Sequence, residues 1–229
     1  MAQRVVDRLA VFDLDGTLVD TLPAIAEAMN AVLREEGLPE HPRDAYRRFA
    51  GDGAEMLVRR ATGRAFDAEP RKLRELLMRF REHDVRTDEE FARPYAGVRE
   101  MLEELRKAGW GVGVLSNKEH AEAEALVARE FGLEGFVEVL GHMEGGPLKP
   151  DPTGLLEMLS RARVGKGAVV YVGDTDTDMR TGRGAGVATV GVSWGFREAE
   201  ELWATGADEV VGRAEELRGV AERLLRERK

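Results

Sequence analysis

Apolar positions recur along this chain with two different periods, and the change of period marks its organisation. Leu22, Ile25, Ala26, Met29, Val32 and Leu33 lie three or four residues apart, the spacing of one buried face of an α-helix over 22–36. Thr21 stands at the N-cap position, Pro23 in the first turn, and Gly37 where such a helix would close. Further helices are predicted at 43–50, 54–62 and 69–83. No strand pattern occurs between residues 20 and 92, so this stretch reads as all-helical. A short apolar strand, 9–13, precedes it. After Pro94 the chain alternates, with strands predicted at 111–116, 136–140, 168–173, 187–192 and 209–211. The helices between and after them are predicted at 98–108, 119–131, 152–163, 177–185, 198–204 and 214–228. Alternation of this kind implies an α/β fold, a parallel sheet covered by helices with right-handed crossovers. The strands are dense in Val and Ala, as sheets buried on both faces require.

Ligands on such sheets bind beyond the carboxyl ends of the strands, and polar residues collect there. Asp13 and Asp15 follow the first strand, two residues apart, so both can lie on one side of the backbone. Two like charges at one point repel unless a cation or a shared proton compensates them. The pair therefore suggests a nucleophilic carboxylate beside a general acid/base, with Mg2+ between them and a phosphate. Ser116-Asn117 follow the second strand. Lys149-Pro150-Asp151-Pro152 lie beyond the third, and Gly173-Asp174-Thr175-Asp176-Thr177-Asp178 close the fourth. Each has a plainer reading. Ser116-Asn117 could cap a helix, Lys149 could be a solvated loop lysine, and the acids 174, 176 and 178 could form a capping cluster or a calcium loop. Asp176 reads as solvated. EF-hand spacing lacks its Gly and closing Glu here, which weakens the calcium reading.

The string Phe12-Asp13-Leu14-Asp15-Gly16-Thr17-Leu18 resembles motif I of the haloacid dehalogenase-like (HAD) phosphohydrolases, and the other three segments resemble motifs II to IV in order. With the helical stretch, the resemblance covers almost the whole chain. It implies a Rossmann-like HAD core, residues 1–20 and 93–229, with an all-helical cap, 21–92, inserted soon after motif I. It further implies that Asp13 attacks phosphorus to give an aspartyl-phosphate, and that Asp15 protonates the leaving alkoxide and then activates water. Ser116, Asn117 and Lys149 would hold the phosphoryl oxygens. Asp13 and Asp174 would hold Mg2+ with the backbone carbonyl at Asp15, and Asp178 would serve as ligand or support. Thr17 is expected to orient Asp15 or the motif I loop.

The cap is expected to set the substrate. Gly51-Asp52-Gly53 ahead of the predicted helix at 54–62 could offer backbone N–H groups to a carboxylate or sugar hydroxyls, or be an ordinary interhelical turn. Arg47 and Arg48 are further candidates for a substrate carboxylate, with solvated helix arginines the plainer reading. This loop, Pro94-Tyr95-Ala96-Gly97-Val98, Ser116-Asn117-Lys118 and Trp194-Gly195-Phe196 look like phosphoglycolate phosphatases. The aromatic loop could equally be core packing. The resemblance implies a Mg2+-dependent hydrolase of a small phosphorylated metabolite, 2-phosphoglycolate foremost. Alternatives are a pyrophosphatase, a phosphosugar phosphatase or mutase, a 2-haloacid dehalogenase, and a non-catalytic binding protein. The dehalogenase has no need of Asp15 or a metal, and a silent protein would be expected to lack one of the carboxylates.

Composition narrows the setting. The chain has 229 residues, 43% of them hydrophobic, and a net charge of −9. That balance disfavours non-specific nucleic-acid binding. There is no apolar run of roughly 18 residues, so no membrane span is expected. Met1-Ala2-Gln3-Arg4 lacks the apolar stretch of a secretory leader, and cysteine is absent, which fits a cytoplasmic protein, monomer or homodimer. Gly182-Arg183-Gly184-Ala185-Gly186 precedes a strand instead of following one, so it reads as a helix end and not a dinucleotide loop. His41, His83, His120 and His142 show no metal spacing and read as solvent-exposed.

Overall fold

The computed structural model describes residues 6–228; the leader reading of Met1–Arg4 lies outside the described residues. In chain order, β1 is Arg8–Phe12 and β2 Val19–Asp20, followed by α1 (Leu22–Glu35), α2 (Tyr46–Phe49), α3 (Ala54–Ala61) and α4 (Pro70–Phe91). The chain then forms β3 (Arg93–Pro94), α5 (Val98–Lys107), β4 (Trp110–Glu119), α6 (His120–Phe131), β5 (Glu138–His142) and α7 (Thr153–Ala162). It ends with β6 (Val169–Gly173), α8 (Asp176–Ala185), β7 (Ala188–Val192), α9 (Ala199–Thr205), β8 (Glu209–Val211) and α10 (Leu217–Glu227). Six strands make one parallel sheet in the order β5-β4-β1-β6-β7-β8.

Side chains alternate across that sheet. Ala10 and Phe12 of β1 face a core built with α5, α6 and α10, whereas Leu9 and Val11 face a second core built with α7. Helices α1–α4 enclose a third apolar cluster, with Met29, Val32 and Leu33 of α1 beside Leu73, Leu76 and Phe80 of α4. Each such side chain contributes about 1.5–3 kcal/mol on full burial. An exposed pair such as Arg34–Glu27 contributes little, because water and salt screen it. Packing, not surface charge, holds the helical layer together. The chain leaves and re-enters the sheet side through β2 and β3, which pair antiparallel, Val19 with Pro94 and Asp20 with Arg93.

Several elements differ from expectation. Helix α4 runs past His83 to Phe91, because its buried stripe continues from Leu73, Leu76 and Phe80 into Asp84 and Asp88. Thr21 occupies the N-cap position of α1 without capping it; its hydroxyl is buried and unpartnered, and Asp20 accepts from the Leu22 N–H at 3.3 Å instead. Strand β5 begins at Glu138 because Phe136 leaves a tight turn to pack on Phe131 and beneath the Arg106 guanidinium. Strand β4 continues through Ser116 and Asn117, so these residues cap no helix; Glu119 caps α6. Gly186 ends α8 in the left-handed conformation, as expected. The histidines are half-buried and not solvent-exposed. The His41 Nε2 lies 2.7 Å from the Ala61 carbonyl, and the His120 Nδ1 accepts from the Gly141 N–H at 3.2 Å.

Candidate active site

Strand β1 lies between β4 and β6, and the chain goes from β1 to β4 and β5 on one side before crossing to β6 on the other. The carboxyl ends of β1, β4 and β6 therefore flank the crevice where strand order reverses, the usual ligand position on an open parallel sheet. Asp13, Ser116–Lys118 and Asp174 sit at those three ends.

The turn after β1 is held by its backbone. The N–H groups of Leu18 and Val19 both donate to the Leu14 carbonyl, and Gly16 N–H donates to that of Val19. Gly16 has φ +82°, and a Cβ there would collide with the Asp174 carboxylate. A Cβ on Gly195 would strike the same residue from the opposite loop. Asp174 is thus enclosed between two glycines. The Thr17 hydroxyl donates to its Oδ1 at 2.7 Å and the Phe196 N–H to its Oδ2 at 2.7 Å. Thr17 therefore orients Asp174; no hydrogen bond from its side chain to Asp15 occurs.

Lys149 is buried between two acids, its Nζ 2.8 Å from Asp13 Oδ1 and 2.7 Å from Asp178 Oδ1. Asp178 also accepts from the Tyr171 hydroxyl at 3.1 Å and from the N–H and hydroxyl of Thr175, at 3.0 and 2.6 Å. Thr175 in turn caps α8. Asn117 spends its side chain on the backbone: its Oδ1 accepts from Lys149 N–H at 2.8 Å, and its Nδ2 donates to the carbonyls of Lys149 and Gly51, each at 3.1 Å. Ser116 Oγ accepts from Lys118 N–H at 3.2 Å. Lys149 is no solvated lysine, and Asp176 is not merely solvated: it pairs with Arg180 and lies 4.0 Å from Arg197.

Asp13, Asp174 and Asp178 each offer a carboxylate oxygen within 4.8 Å of the others, all three buried. One ammonium cannot balance three carboxylates. Burial, then the Asp178 charge, raises Asp13 well above the carboxylate range despite Lys149. Burial and Asp178 likewise push Asp174 up to about 7. An all-oxygen, over-charged donor set of this kind fits a hard divalent cation.

The cleft above this cluster encloses about 60 Å³ and is lined by Asp13, Asp15, Gly51, Gly53, Phe80 and Lys118 among others. That is space for a small ligand or a few waters. Asp52 turns away from it, binding Arg60 and accepting from the Thr177 hydroxyl at 2.7 Å. Arg47 is likewise engaged, donating to the Gly195 carbonyl, while Arg48 is exposed. Phe196 buries its ring in the cluster of α1–α4. The loop 194–197 thus ties the helical layer to Asp174.

Sequence reasoning did not single out Asp84, Asp88, Tyr171 or Arg197, and it quoted Lys118 without a role. Lys118 Nζ lies 2.7 Å from Asp84, 2.9 Å from Asp88 and 3.9 Å from Asp15. Burial opposes its charge, yet these three carboxylates hold its pKa well above the ordinary value. Burial raises Asp84 and pushes Asp88 up to about 7, against the pull of Lys118. The i,i+4 spacing of two acids on the apolar stripe of α4 was the available signal.

The sequence profile of haloacid dehalogenase-like hydrolases matches residues 10–192. The chain belongs to that family. Among curated relatives, the phosphoglycolate phosphatase of Rhodospirillum rubrum is 34% identical over 194 residues, 82% of this chain and 80% of the relative. That of Vibrio parahaemolyticus is 28% identical over 214 residues, 92% and 94% of the two chains. The crystal structure of a predicted phosphoglycolate phosphatase from Haemophilus somnus superposes with a TM-score of 0.82 at 25% identity, covering 93% of this chain and 97% of that one. The HAD fold expected from the four motifs is thus the fold observed: a parallel α/β sheet with a helical layer inserted after its first strand. Among the described residues, no helix is long and apolar enough to cross a membrane.

Proposed function

We propose that the protein is a Mg2+-dependent phosphomonoester hydrolase of small metabolites, with 2-phosphoglycolate as its substrate. The observation that carries this reading is the Lys149 ammonium bridging Asp13 and Asp178 at the sheet's switch point, with Asp174 completing a buried carboxylate cluster. Relatives named phosphoglycolate phosphatase at about 30% identity supply the substrate. The absence of cysteine suits a reducing cytoplasm.

Asp13 is the nucleophile. Its Oδ1 is held by Lys149 and by Leu14 N–H at 2.7 Å, which leaves Oδ2 free to attack phosphorus. An aspartyl-phosphate forms on Asp13 as the P–O bond to the alkoxide breaks, and Asp15 gives that alkoxide a proton. Asp15 then removes a proton from the water that cleaves the intermediate. Lys149 and the Ser116 hydroxyl carry the charge on the phosphoryl oxygens, while Asn117 pins Lys149 and Gly51 in place through their backbones.

Asp13, Asp174 and the Asp15 carbonyl would hold Mg2+, which supplies positive charge opposite the phosphoryl oxygens. Asp178 has four donors on its two oxygens, so its lone pairs are already in use. It supports Lys149. Gly51 and Gly53 line the cleft that also holds Asp13 and Asp15, and Asp52 anchors that loop to α8. The ribbon of β2 and β3, falling at 19–20 and 93–94, supports dividing the chain into a core of 1–20 and 93–229 and a cap of 21–92.

Phosphate release from 2-phosphoglycolate, other small phosphate esters and pyrophosphate, compared by kcat/KM at fixed Mg2+, tests the reading. A clear preference for 2-phosphoglycolate is expected. Preference for pyrophosphate, or no hydrolysis of any ester, overturns it.

A further inference from the structure

Lys118 is shared between two layers of the molecule. It belongs to β4, as Asp15 belongs to the turn after β1, whereas Asp84 and Asp88 stand one turn apart on α4. The Lys118 side chain is only 5% exposed. Of the three carboxylates within 4.0 Å of its Nζ, the two on α4 are at contact distance and Asp15 is not. Asp15 Oδ1 is nevertheless buried and without a hydrogen-bond partner. A buried, unpartnered carboxylate oxygen 3.9 Å from an ammonium is attracted to it, and the four-carbon stem of lysine closes such a gap by small torsions. Something holds the pair apart.

We infer that Asp84 and Asp88 are positioning residues: by clamping the Lys118 ammonium they keep it from pairing with Asp15, and so leave the Asp15 carboxyl to the substrate. The ammonium donates to Asp84 and is ion-paired with Asp88, both carboxylates almost wholly buried, so the α4 pair holds it more closely than Asp15 does. With α4 drawn away, Asp15, whose Oδ1 already lies 3.9 Å from the ammonium, is the nearest carboxylate on the sheet side, nearer than Glu122 of α6, and Lys118 moves onto it. The Asp15 carboxyl is therefore free only when the helical layer is seated. The clamp rests on the proposed role of Asp15 in proton transfer.

The test uses isosteric variants of the full chain in the presence of Mg2+. In Asp84→Asn/Asp88→Asn, kcat for the preferred phosphate ester should fall at least tenfold with KM changing less than threefold. A crystal structure of this variant should show Lys118 Nζ in hydrogen-bond contact with Asp15. Adding Lys118→Met should raise kcat at least threefold above that of the double variant, because no ammonium remains to occupy Asp15. A parental kcat in the double variant, or a triple variant as slow as the double, overturns the clamp. Where the double variant does not fold, Asp84→Asn alone, lacking the nearer partner, is read by the same two criteria. If the parent protein hydrolyses no phosphate ester, the proposed function fails, and the position of Lys118 in the variant crystal still decides the clamp.

Discussion

The Thr17 hydroxyl donates a 2.7 Å hydrogen bond to Asp174, a residue 157 positions away in the chain. It joins the turn after β1 to the end of β6, and it favours the ionised form of a carboxylate that burial pushes toward protonation. Thr17→Val should leave Asp174 with one donor, the Phe196 N–H. Mg2+ affinity at pH 7, measured by calorimetry, should fall about tenfold, the effect expected when a ligand loses its supporting hydrogen bond. Unchanged affinity would mean that Asp174 does not bind the ion.

Mg2+ binding should release protons. The Asp174 pKa is raised from 3.8 to about 7, mainly by burial and next by Asp178, so the cation-free protein retains a proton there that the unfolded chain has lost. The contribution of Asp174 to the stability of the cation-free protein is accordingly full below about pH 4 and is lost as pH rises through 7. Mg2+ takes the place of that proton and reverses the decline. Calorimetry in two buffers of different ionisation enthalpy should find more protons released at pH 6 than at pH 8.5. A proton count independent of pH contradicts the assignment.

Gly195 and Gly16 approach Asp174 from opposite sides. Gly195→Ala forces a methyl group against the Asp174 side chain and the Gly16 carbonyl. It should cost about 1–3 kcal/mol in stability through overpacking. Displacing the carboxylate by even 1 Å should lower kcat on the order of a hundredfold. Denaturant melts alongside turnover separate the two effects, and a fully active alanine variant would show that the loop yields without moving Asp174.

Asp52 fastens the cap loop to α8 and Arg60. Because it is partly exposed, its replacement by Asn should cost only about 1 kcal/mol. The expected result is KM raised roughly fivefold with kcat nearly unchanged, since the loop positions the leaving group and not the nucleophile. A loss confined to kcat would place Asp52 closer to the chemistry than the structure does.

Much of the fold was legible in order along the chain. Strand ends announced themselves as apolar runs followed by Asp13, Ser116 and Asp174, and β1, β6 and β7 lie within a residue or two of expectation. Helix α4 was cut short because acids at 84 and 88 interrupt its apolar stripe, and periodicity cannot distinguish a solvated acid from one buried against a lysine. Thr21 and the histidines failed for a related reason: residue type allows a cap or an exposed ring, but burial by neighbours distant in sequence decides it. Asp52 was rightly placed in a turn, and its direction, away from the cleft, depended on Thr177 and Arg60.

Local pattern alone determined that the chain is an α/β protein with a helical insertion, and which polar side chains stand at strand ends, because hydrophobic period and turn chemistry act over a few residues. Partnership was decided only in three dimensions: Lys149 between Asp13 and Asp178, Thr17 on Asp174, and Lys118 held by α4 beside Asp15. The strength of a charge or hydrogen bond depends on distance and on exclusion of water, and both arise when segments far apart in the chain close over one another.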